Sequence, residues 1–318
     1  MSEKPEKSGL LQTLVSFSRR YGADPSLVIA GGGNTSMKEN GILYVKASGA
    51  ALADIDADGF AALDIGALLK ILNKAYPEGD AAREAAFLAD VCSALVPGIE
   101  PRRPSVEALL HALFPHRYVL HLHPTLINGL TCAVDGEKWA ARLFPDTLWA
   151  PECRPGHTLA LLLAEKLRPE TDTVLLQNHG VFIAADTEKE IDDILRRMLR
   201  TLETAVRNAP QQLPESAVRK VPELLTEQLT EQPPEQPPQQ PPEPLPEIAL
   251  DRPFTPDQIV YCGLGPALPE SAAALSLYED ARNIARYAAC FGGPRPMSAD
   301  LVSFIVNWEA ENYRKSKS

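Results

Sequence analysis

The sequence predicts a layered α/β protein, and three observations point that way. Helix-like and strand-like apolar spacings alternate from about residue 9 to residue 208. An apolar content of 45% over 318 residues is enough to build a substantial core. A proline-rich stretch at about residues 209–250 then divides this body from a short helical C-terminal segment at 251–318.

Each element is read from its own spacing. Residues 10–21 place Leu10, Leu11, Leu14, Val15 and Phe17 at helical intervals. Residues 27–30 form a short strand running into GGGNTS, and the β-branched and aromatic residues of 42–45 form a second strand. Residues 60–73 suit a helix, as do residues 81–95, where Ala, Glu and Leu dominate. A further helix spans 104–113, with Ser105 as its N-cap. Residues 118–123 alternate as a strand, 126–132 and 158–167 are helical, 173–176 form an apolar strand that ends at QNHG, and 181–184 continue extended. Residues 188–208 make a long amphipathic helix.

In EQPPEQPPQQPPEPLP half the residues are proline, which fixes φ and removes a backbone donor at each position. The segment is expected to be a polyproline II linker or spacer, with docking of its PxxP pattern to a partner as the alternative. Beyond it, IVYCG reads as strand-like. Residues 271–291 read as a helix stopped by Gly292 and Gly293, and residues 298–314 as a last helix carrying Phe304, Ile305 and Trp308. These helices bury too little to stand alone and are expected to pack on the main body or on a neighbouring subunit.

The charge balance excludes some functions. A net charge of −11 disfavours nucleic acid and anionic membrane surfaces, both of which need clustered Lys and Arg. Seven Glu against Arg219 and Lys220 concentrate part of that charge between Asn208 and Ile248. The five cysteines are odd in number and widely spaced, which is no disulfide framework and points to a reducing compartment. The N-terminus has no signal-peptide pattern, and no apolar run approaches the ~18 residues of a membrane span, so a cytoplasmic location is expected.

Candidate chemistry begins at His121-Leu122-His123. Residues two apart on a strand share a face, so both imidazoles could chelate one metal, although two surface histidines would give the same pattern. His179 sits at the end of a strand beside Gly180. On the helix read at 104–113, Glu107 and His111 would share a face. The GGGNTS run at 31–36 could offer backbone N–H groups and hydroxyls to an anion, or be an ordinary turn; it is neither a P-loop nor a dinucleotide fingerprint. VKASG, with Lys46, Ser48 and Gly49, is a comparable turn after a strand.

GGGNTS, VKASG, PSVEALLHALFPHRYVLHLHP and QNHG occur in the order seen in class II aldolase/adducin domains, which the sequence resembles over about residues 9–208. The spacing, with TPDQIVYCG and the segment from LYEDARNIARYAACFGG onwards, is most similar to the aldolase part of bifunctional rhamnulose-1-phosphate aldolase/lactaldehyde dehydrogenases. The resemblance implies a three-layer α/β/α sandwich around a mostly antiparallel sheet, assembled as a homotetramer. It implies His121, His123 and His179 as ligands of a divalent metal, zinc foremost, and Glu107 as the catalytic acid/base. Asn34, Ser48, Gly49 and Ser105 would lie at substrate phosphate-binding positions. The implied function is a metal-dependent aldolase that cleaves a ketose 1-phosphate into dihydroxyacetone phosphate and an aldehyde. A sugar-phosphate 4-epimerase or dehydratase on the same metal, and a non-enzymatic adducin-like scaffold, are the alternatives.

Overall fold

The computed structural model describes residues 3–209, 252–263 and 271–308. The proline-rich stretch lies outside the described residues, as does the end of the helix read at 298–314.

Helix α1 (Glu3–Gly22) leads through a loop of successive turns, residues 23–33, into β1 (Asn34–Glu39). Strands β2 (Ile42–Lys46) and β3 (Phe60–Asp64) follow as an antiparallel meander, then α2 (Ile65–Lys70), α3 (Asp80–Ser93) and α4 (Ala108–Leu113). The central strand β4 (Tyr118–Leu122) precedes α5 (Thr125–Thr131), α6 (Gly136–Leu143) and β5 (Leu148–Ala150). Helix α7 (His157–Lys166), the hairpin of β6 (Thr173–Leu176) and β7 (Gly180–Ala185), and helix α8 (Glu188–Arg207) complete this part. Thr187 and Glu190 close a reciprocal capping box at the start of α8.

The seven strands form one sheet in the order β3-β2-β1-β4-β7-β6-β5, antiparallel everywhere except between β5 and β6. Both faces are covered, so β4, β6 and β7 are buried along their whole length. Side-chain alternation divides the core. Leu120, Leu122, Val181 and Ile183 pack towards α1, α5 and α8. Val119, Phe182 and Ala184 pack towards α2, α3, α4 and α7. This is the three-layer sandwich around a mostly antiparallel sheet that the sequence predicts.

Helices α9 (Pro256–Cys262), α10 (Ala272–Ala289) and α11 (Ala299–Val306) pack onto this body. Thr125 Oγ1 donates a hydrogen bond to Asp280 across the α5–α10 contact. Asn178 Nδ2 donates to the carbonyls of Phe254 (3.2 Å) and Arg295 (2.8 Å), tying the chain on either side of α9 and α10 to the turn before β7. Phe304, Ile305 and Trp308 bury themselves with Ile259 and Val260. Among the described residues no helix is long and apolar enough to cross a membrane. All five cysteines are free thiols.

Several local expectations are corrected. Residues 27–30 are a turn, not a strand, and Ala30 takes a positive φ of 52°. The segment 60–73 is helical only from Ile65, because its first five residues pair with β2 and that pairing overrides their helix propensity. Ser105 is not the cap of a long helix: α4 starts at Ala108, and Ser105 Oγ instead accepts the Glu107 N–H at 3.2 Å. IVYCG is the end of helix α9, which opens with a Thr255/Gln258 capping box and Pro256 at its first turn.

Candidate metal centre

The site lies at the end of β4, where the sheet register brings three strands together. His121 is paired with Asn34 of β1 on one side and with Phe182 of β7 on the other. His179 precedes β7 by one residue, and Asn178 before it adopts a left-handed turn at φ 58°, a conformation that Asn tolerates. Gly180 permits the approach: a Cβ there would fall 2.2 Å from the Leu122 carbonyl oxygen and 2.8 Å from the His123 ring. His121 and His123 project from the same face of the strand path, and His179 reaches them across the turn.

Ligand nitrogens of the three histidines lie within 4.8 Å of one another. His121 and His123 are buried, and His179 is nearly so. Burial pushes the His121 imidazole well below its ordinary pKa, and neighbouring His123 adds to the shift. Burial brings His179 down to about 3, with the Glu107 charge opposing. Neutral imidazoles are the form a metal requires. His121 Nδ1 lies 3.0 Å from the Val181 carbonyl, which can only accept, so Nδ1 carries the proton and Nε2 keeps its lone pair. Nε2 of His123 is 3.0 Å from Nε2 of His121. Two lone pairs so close need a proton or a cation between them.

Glu107 completes the set. Asn34 Nδ2 donates to its Oε2, and its other oxygen, Oε1, is buried without a hydrogen-bond partner. That oxygen stands 3.6 Å from His121 Nε2 and 3.7 Å from His179 Nε2, too far for hydrogen bonds. An orphaned carboxylate oxygen facing two imidazole nitrogens of a three-histidine cluster matches the hard and borderline donors of a zinc-type site. The residues present fit a divalent metal.

A small cleft of about 40 Å³ meets this cluster, and Asn34, Ser48, Gly49, Ser105, Glu107, His123 and His179 line it. Two of the loops that line it are joined, since Ala47 bridges Pro104 and the Ser48 N–H donates to the Arg103 carbonyl at 2.9 Å. Lys46 is buried beneath them, donating to the carbonyls of Gly31 (2.8 Å) and Ala50 (2.7 Å). The eight residues to which the resemblance gives site roles therefore meet at one place.

His111 does not join them. Its Nδ1 is bonded to Ser36 Oγ at 2.8 Å and its ring packs on Phe182 within the core. His157 also belongs to the core, against Tyr76 and Phe87. Sequence reasoning missed Asp257, whose Oδ2 lies 2.5 Å from His123 Nδ1. It also missed Tyr261, whose hydroxyl accepts the Gly31 N–H at 3.2 Å. Both come from α9, more than 130 residues beyond His123, and only the capping signature TPDQ marks the helix that delivers them.

The model of the class II aldolase and adducin N-terminal domain matches residues 12–206. The chain belongs to the class II aldolase and adducin family. Among solved structures, this family member is similar to the N-terminal class II aldolase domain of a conserved protein from Thermoplasma acidophilum. The two are 32% identical over 61% of this chain and 92% of that one, with a TM-score of 0.54. It is also 31% identical over 192 residues to the uncharacterized oxidoreductase YuxG of Bacillus subtilis strain 168, a match spanning 56% of this chain and 27% of that protein. This aldolase-family chain thus spans about a quarter of its curated relative. A more distant likeness is to the L-fuculose-1-phosphate aldolase of Thermus thermophilus, 17% identical over 63% of this chain and 95% of that one, at a TM-score of 0.43.

Proposed function

We propose that this protein is a metal-dependent aldolase that cleaves a ketose 1-phosphate, such as rhamnulose or fuculose 1-phosphate, into dihydroxyacetone phosphate and an aldehyde. The observation that carries the reading is the unpartnered, buried Glu107 Oε1 facing His121 and His179 at the cleft. His121, His123 and His179 hold the metal. A divalent ion there supplies electrophilic stabilisation for negative charge that develops when a carbon–carbon bond next to a carbonyl is broken.

The chain's own groups do the rest. Glu107 exchanges the proton of the reacting hydroxyl, and Asn34 fixes the carboxylate by donating to its other oxygen. Asn34, Ser48, Gly49 and Ser105 line the same cleft and hold the substrate phosphate there, where the buried Lys46 ammonium favours an anion. Anchoring the remote phosphate puts binding energy into orienting the bond to be cleaved. The tail motifs support the rhamnulose-phosphate subgroup, the family resemblance a homotetrameric assembly, and the odd, widely spaced cysteines a cytoplasmic setting.

The test is a coupled assay for dihydroxyacetone phosphate, using zinc-loaded protein with rhamnulose and fuculose 1-phosphates. Release of the three-carbon fragment, abolished by a chelator, is the expected result. A rearranged sugar with no free fragment would assign the site to epimerase chemistry, and no reaction of either kind would overturn the enzymatic reading.

A further inference from the structure

We infer that Asp257 is a positioning residue for the metal centre, placed by helix α9 to hold His123 with Nε2 turned on the ion; this rests on the metal-site reading above. Asp257 is 2% exposed, and a carboxylate removed from water to that degree needs a strong partner. It has one in His123 Nδ1, 2.5 Å from its Oδ2. A carboxylate there draws the proton onto Nδ1 and leaves Nε2, the nitrogen that faces His121, as the ligand atom. The negative charge also makes that nitrogen a better donor to a metal.

The surroundings are shaped for this contact. A Cβ on Gly32 would lie 2.5 Å from Asp257 Oδ2 and 3.2 Å from His123 Nδ1, so the glycine run leaves room for the pair. The same helix braces that run through Tyr261, which receives the Gly31 N–H, and Pro256 forms part of the cleft wall. Asp257 lies outside residues 12–206, the span of the family domain. The C-terminal segment of this chain therefore contributes to the site in cis.

The experiment is a competition between full-length protein and a chromophoric chelator for Zn2+ and Co2+, in wild type, Asp257→Ala and Asp257→Asn, with His121→Ala as reference. Thermal melting of each metal-free form accompanies it. Asp257→Ala should bind both metals about 10–100-fold more weakly. Asp257→Asn, which keeps an acceptor but not the charge, should lose less, and its metal-free melting should stay within about 2 °C of wild type. Unchanged affinity in both variants overturns the inference. So does a loss in Asp257→Asn that appears only with an equal drop in metal-free melting, because that is a folding effect. If wild type and His121→Ala both fail to take up metal, the metal-site reading itself has failed, and the inference falls with it by a distinguishable route.

Discussion

A carboxylate oxygen, buried and 3.6–3.7 Å from two imidazole nitrogens, is the most telling detail at the scale of single residues. Neutral histidines cannot compensate a buried negative charge, whereas a cation among them would. If Glu107 moves protons, Glu107→Gln should fold as wild type does, with circular dichroism unchanged, and lose turnover by about 10²–10⁴-fold. Near-normal turnover would remove Glu107 from the mechanism. Lys46 has a different part. From its buried position its ammonium donates to the carbonyls of Gly31 and Ala50, so Lys46→Met should destabilise by about 1–3 kcal/mol in a denaturant titration. It should also raise KM for a phosphorylated substrate more than it lowers kcat, and an unchanged KM would show that its charge is not felt in the cleft.

Among the elements, the turn from His179 into β7 has the least tolerance. Adding a methyl group at Gly180 would force β7 away from the Leu122 carbonyl and press on His123. Gly180→Ala should cost about 1–3 kcal/mol and lower metal occupancy together, read by denaturation and elemental analysis. Wild-type metal content in that variant would mean the site absorbs the shift. This scale also shows what a sequence makes legible. Strands β4 and β6 and helices α5, α7, α8 and α10 follow from apolar runs and periodicities, and the order of His121, His123 and His179 in the chain is visible too. Strand β1 is not, because NTSMKE is polar. Its Asn34, Thr35 and Ser36 are buried only because each has a partner: Glu107, Ser18 and His111 respectively. The Asn40–Gly41 pair, at positive φ in the turn to β2, is the hairpin signal that would have found it. Asp257 is invisible from spacing, since only the folded C-terminal segment brings it to His123.

For the whole molecule, the buried imidazoles link stability to pH. Burial drives the folded-state pKa of His111 and His121 well below the ordinary value and brings His179 to about 3. In the unfolded chain each titrates near ~6.5. Between about 6.5 and 3 the unfolded chain therefore binds more protons, so stability is full above that window and is lost as pH falls through it. Metal-free protein should unfold at lower denaturant at pH ~5 than at pH ~7.5, and His111→Gln should flatten that dependence; an equal slope would contradict the linkage. The central claim, that three histidines at the end of β4 form a metal centre, is tested most directly by metal content after purification and dialysis. About one divalent ion per chain in wild type and next to none in His121→Ala is the predicted result. Stoichiometric metal in the variant, or none in wild type after incubation with zinc, would contradict it.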